Sequence, residues 1–168
     1  MLTQSWRRLV RHSAALVPLV LMTSCGGDSS PTGPSVDTSF LSGRWTGTLT
    51  ISREGQPDVI GPMTWTFTLN PGSSRLVFQT AIESQNSWLP LTLTTTSALR
   101  PTPDPPTQVV TNATYTSPRG CRGDFGSEGE AQARTIDASF SGVDCVAGSP
   151  GGILSLQPFQ GRVRLTKQ

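Results

Sequence analysis

The chain has 168 residues, only 14% of them charged, with 17 Gly and 14 Pro; this is a composition of strands and turns, sized for one domain. Its formal charge of +2 includes Arg7, Arg8 and Arg11, and from residue 25 onward ten basic residues face eleven acidic ones, so no basic stripe is left for a phosphate backbone and nucleic acid is not expected as a partner. The single histidine, His12, lies in the first 24 residues; a serine triad lacks its proton acceptor and a Cys and His zinc set lacks its ligands, so neither enzyme activity, cofactor nor metal is expected.

The first element is an export signal over residues 1–24. Arg7, Arg8 and Arg11 form its positive region, and Ala14 to Met22 form an apolar run, broken by Pro18, that is too short to cross a bilayer. Its end, Met22-Thr23-Ser24-Cys25, resembles the lipobox of bacterial lipoproteins, in which an aliphatic and two small residues precede a cysteine that is acylated and becomes the new N-terminus. The resemblance implies lipidation of Cys25, palmitate among its acyl chains, and a membrane anchor in the cell envelope. Gly26 stands where aspartate would retain such a protein in the inner membrane, which implies the outer membrane. An ordinary secretory signal with an incidental cysteine is the alternative. Residues 25–37, rich in Gly, Ser and Pro, read as an acylated cysteine and flexible tether with a coil span of roughly 20 Å.

Residues 38–168 read as the folded domain. Trp45, Gly47, Leu49 and Ile51 alternate with Arg44, Thr46, Thr48 and Thr50, the two-residue period of a half-buried strand. Arg53 to Gly61 reads as a loop from its Gly and Pro content. Met63, Trp65, Phe67 and Leu69 alternate with three threonines in a second strand, and Asn70 to Ser73 is a turn into a third, Arg75 to Ile82. A fourth strand, Trp88 to Thr96, places Leu89, Leu91 and Leu93 on one face and Pro90 on the other. Four prolines between Leu99 and Thr107 force an extended crossing. Strands are then expected over Thr107–Thr116 and Gly129–Phe140, with Ile153–Phe159 and Gly161–Lys167 as a closing pair.

With Cys25 consumed by lipid, Cys121 and Cys145 remain, and a pair in an exported domain reads as a disulfide worth about 3 kcal/mol. Glu128 and Glu130 would share a strand face but read as a solvated edge. Arg122-Gly123-Asp124 and Asn112-Ala113-Thr114 match an adhesion tripeptide and a glycosylation sequon, patterns too short to carry a function.

About eight consecutive short strands with one apolar face each point to a single antiparallel up-and-down β-barrel, with a two-sheet β-sandwich as the alternative. Gly43-Arg44-Trp45 at the first strand resembles the Gly-x-Trp signature of calycin barrels such as lipocalins and avidins. That resemblance implies that Trp45 closes the barrel base under a basic residue of the last strand, Arg162 or Arg164. No ligand carries over from it. Trp65 and Phe67, on the inward stripe, and Trp88, out of phase near a rim, are the candidate ligand contacts. Two functions remain open: a barrel holding a small apolar or amphipathic ligand, and a solid barrel whose loops contact another envelope protein.

Overall fold

The two-residue alternation closes on itself. The computed structural model describes residues 38–69, 76–100, 102, 107–145 and 156–168, and in it strands β1 (Gly43–Arg53), β2 (Gln56–Leu69), β3 (Val77–Gln85), β4 (Pro90–Arg100), β5 (Thr107–Thr116), β6 (Arg122–Ala131), β7 (Thr135–Cys145) and β8 (Leu156–Lys167) form one closed barrel. Each strand pairs antiparallel with the next, and β8 returns to β1 with Trp45 opposite Lys167 and Ser52 opposite Gln160. The ladders run from β1 round to β8 and back to β1 in one sheet, so the sandwich alternative falls. A 3-10 turn over Ser39–Leu41 precedes β1. The signal, Cys25, the tether and the turn at 70–73 lie outside the described residues, as does most of the proline-rich crossing.

Three local readings are corrected by the strand pairing. The stretch from Arg53 to Gly61 is not a loop: Arg53 pairs with Gln56, so the turn is only Glu54-Gly55, and Gly61 lies inside β2. Its glycine is explained by packing, because a Cβ there would meet the Asn86 backbone at 2.4 Å. Gly129 to Phe140 is not one strand but the β6–β7 hairpin, turning at Gln132–Arg134. The expected closing pair is instead a single strand, β8, which runs through Gln160 and Gly161 without a turn; residues 153–155 are outside the described set.

The inward residues form one apolar cluster that runs the length of the barrel. Trp45, Trp65, Phe67 and Phe78 meet edge to face at centroid distances of 5.8–6.5 Å in one part. Phe125, Phe140 and Phe159 stack in series at 4.5 and 5.9 Å in another. Such pairs add roughly 0.5–1.5 kcal/mol each to the burial of the rings themselves. A short polar row crosses this core, where Thr80 Oγ1 donates to Ser97 Oγ at 2.7 Å and Ser97 shares a 2.6 Å hydrogen bond with Thr111. Beside it, Ser127 Oγ is buried without a hydrogen-bond partner, as is Trp65 Nε1. Leu69, expected inward with Met63 to Phe67, is 40% exposed because it lies at the end of β2.

Candidate functional site

The described residues at the two ends of the barrel carry different chemistry. At the first end, Gly43 has φ +117°, a backbone conformation that side chains disfavour, and it turns the chain into β1. Trp45 is fully buried, and its Nε1–H donates to the Leu41 carbonyl at 2.8 Å, which ties the ring to the 3-10 turn. The cation above the ring is Lys167, with Nζ 5.7 Å from the ring centroid and hydrogen-bonded to the Phe40 carbonyl.

Arg162 and Arg164, the expected partners of Trp45, do not take this part. They share the outer face of β8, where Arg162 donates to Asp137 at 2.5 and 2.7 Å and Arg164 lies 3.4 Å from the same carboxylate. The hydrogen bond from Arg162 holds the Asp137 carboxyl below its ordinary pKa. The reason is parity: Val163 and Leu165 are the inward residues of β8, so the cation facing Trp45 must be two further on, at Lys167.

The opposite end is covered by the β3–β4 connection. Buried Asn86 pins it, with Nδ2 donating to the Leu49 and Val59 carbonyls at 3.2 and 2.9 Å and Oδ1 accepting the Trp88 and Leu89 N–H groups at 3.0 and 3.2 Å. All four bonding sites of the amide that point into the protein are thereby used, and Leu89 is fully buried beneath the loop. Trp88 is half-buried. Its ring lies 5.2 Å from that of Phe159, and the guanidinium groups of Arg53 and Arg119 lie 4.9 and 4.7 Å from its centroid.

Asp144 organises the same end. It is completely buried, and it accepts from Arg119 Nη1 at 2.9 Å, from the Tyr115 hydroxyl at 3.1 Å and from the Cys145 N–H at 2.6 Å. Those bonds give both carboxylate oxygens partners inside the protein. Tyr115 reaches it by lying flat over Gly123, where a Cβ would meet the ring at 2.4 Å. Burial, followed by the Asp144 carboxylate, pushes the Tyr115 hydroxyl pKa far above its usual value. The Cys121–Cys145 disulfide joins the β5–β6 turn to the end of β7 beside this network, with a Cα separation of 6.2 Å.

Cys121, Asp144 and Cys145 bring three possible metal-ligand atoms together, but disulfide sulfurs are not thiolates and the carboxylate is already bonded by Arg119 and Tyr115. The residues do not fit a metal. A surface cleft of about 340 Å³ lies at this end, lined by Ser52, Arg53, Glu54, Pro158, Phe159 and Gln160.

The candidate ligand contacts separate into two groups. Trp65 and Phe67 are core, packed against each other at 5.8 Å and closed to solvent. Trp88 is partly exposed at the Asn86 end, among Arg53, Arg119 and Phe159. Sequence reasoning missed Asn86, Arg119, Tyr115 and Asp144; the available signal was that Asp144 adjoins a cysteine and that Tyr115 is the only tyrosine in the chain. The described residues define an eight-stranded up-and-down barrel with an apolar cluster packed inside it. No family model matches the chain, and no curated protein matches it.

Proposed function

We propose that this chain is a lipid-anchored protein of the bacterial envelope, held by an acylated Cys25, that acts without catalysis by contacting another protein through the loops around Trp88. The observation that carries the reading is the occupied interior: the inward positions of the barrel hold packed aromatic and aliphatic side chains from Trp45 to Phe159. An eight-stranded barrel is just wide enough to be filled by side chains or to hold one small ligand, and this packing supports the first. Recognition is then left to the outside, where Trp88 combines a large partly exposed ring with two guanidinium groups, residue types that dominate protein contacts. The Trp45 and Lys167 arrangement supports kinship with calycin barrels.

Two experiments test this reading. An apolar fluorophore such as anilinonaphthalene sulfonate should remain unbound by the folded domain, and saturable one-to-one binding displaced by a fatty acid would favour the ligand-holding barrel. In cells, Cys25→Ser should abolish palmitate labelling and release the protein from membranes. Persistence in the membrane fraction after a carbonate wash would remove the anchor.

A further inference from the structure

The barrel wall is not uniformly zipped. β7 and β8 pair over 11 residues and β5 and β6 over ten, but β4 and β5 pair only from Thr96–Asn112 to Arg100–Gln108. Pro90–Thr95 of β4 and Ala113–Thr116 of β5 are in strand conformation and pair with β3 and β6 respectively, yet have no ladder partner across the gap between them. The ladder stops where Thr95 Oγ1 donates to the Asn112 carbonyl at 2.6 Å, a side-chain donor standing in for the next backbone one. Arg119 bridges the other end of the gap, from the β5–β6 turn to the Trp88 carbonyl at 2.6 Å. The result is a slot in the wall, closed above and below.

Three features of the slot describe what would fill it. Its lips are strand backbone, whose alternate residues direct N–H and C=O groups toward the gap. Leu93 and Ala113, inward-facing and packed on the core, are only partly buried there. The adjoining cleft, about 510 Å³, is lined by Thr95, Asn112, Ala113, Thr114, Asp124, Phe125 and Gly126, and Asp124 alone among these carries a charge.

We propose that this slot receives an extended segment of a partner polypeptide, which pairs with the β5 lip at Ala113–Thr116, lays an apolar side chain against Leu93 and Ala113, and presents a lysine or arginine to Asp124. Unpaired ladder groups select peptide backbone, because a lipid chain or an aromatic ligand offers neither donor nor acceptor in register. The inference rests on the protein-contact reading and adds to the end loops around Trp88 a second contact, in the wall beside them.

The test uses the folded chain and a pool of hexapeptides that alternate Val, Ile or Phe with Thr or Ser and begin with lysine. Binding members should shift the amide resonances of Ala113–Thr116. At about ten times its Kd, a binder should slow hydrogen exchange of those amides about tenfold. The same sequences N-methylated at alternate residues should not bind, which separates backbone pairing from apolar contact. Asp124→Lys, on the exposed face, should weaken the lysine peptides and favour glutamate-initiated ones.

Absence of any shift at about 1 mM peptide overturns the proposal. So does equal binding of N-methylated peptides, or protection of the lip that rises with protein concentration alone and so identifies a second copy as the occupant. Fluorophore uptake with the slot result intact would instead overturn only the solid-barrel reading.

Discussion

The wall from β7 through β8 to β1 and the wall between β4 and β5 are built from similar alternating strands, yet one is continuous and the other opens halfway. β8 pairs along most of its length on both sides, and its inward Phe159, Val163 and Leu165 are buried. β4 contributes Leu93 and Thr95 at the corresponding inward positions beside the gap, and both are only partly covered. The difference teaches that closure of a barrel is a local property. Apolar side chains line the sealed wall, whereas at the gap the Thr95 hydroxyl bonds the Asn112 carbonyl where the ladder stops.

The closed end that anchors the continuous wall should show the largest effect. Trp45→Ala should cost about 3–5 kcal/mol in urea unfolding, from the lost ring and the cavity it leaves. Lys167→Met should cost less, since a cation over an indole contributes about 0.5–2 kcal/mol, and the two losses should not add fully because the groups touch. A Trp45→Ala protein as stable as the parent would mean that this end is not the keystone of the continuous wall.

Reducing Cys121–Cys145, which ties the β5–β6 turn to β7 between the two walls, should cost about 3 kcal/mol. Replacing both cysteines by alanine should reproduce that loss, as read from the denaturation midpoint under non-reducing conditions. Equal stability with and without reductant would contradict it.

Tyr115 reports on the lip of the slot by its ionisation, and as the only tyrosine it can be followed directly by tyrosinate absorbance. Its pKa is raised above the unfolded value of about 10. Its contribution to stability is therefore fully present below pH 10 or so and is lost as pH rises through the folded pKa. The native protein should show no tyrosinate at the pH where a free tyrosine is half-ionised, and the signal should appear together with alkaline unfolding. Ordinary titration in the folded protein would show that the Asp144 network opens in solution.

The smallest effect is expected at Ser127, opposite Thr111 across the β5–β6 ladder. Because its buried hydroxyl has no partner, Ser127→Ala should be neutral or stabilising by up to about 1 kcal/mol. A clear destabilisation would show that the hydroxyl is bonded in solution.

Much of the fold is legible in the residues themselves. The alternation in Trp45 to Ile51 and Met63 to Phe67 identifies β1 and β2, and Gly43-Arg44-Trp45 marks the closed end. The partner of Trp45 is also legible in principle, since Val163 and Leu165 set the inward parity that reaches Lys167; the resemblance to calycins asks only for a basic residue of the last strand, a condition Arg162 and Arg164 meet without the parity. Gly61 reads as part of a loop although it lies inside β2, because close backbone approach and a turn call for the same residue. The Asp144 network was not legible, because Arg119, Tyr115 and Asp144 belong to three elements and meet only through the strand order. Nor was the slot, since how far two strands pair is decided by the tertiary geometry and not by either strand's pattern.

Residue-resolved hydrogen exchange of the folded chain without any peptide tests the contrast between the walls most directly. Amides of Gln160–Leu165 in β8, which face ladders on both sides, should exchange only through global unfolding. Those of Leu91–Thr95 and Ala113–Thr116 that point into the gap should exchange far faster, through local opening or with none at all. Uniform protection across both segments would contradict the account, because it would mean that β4 and β5 are zipped in solution along their whole length.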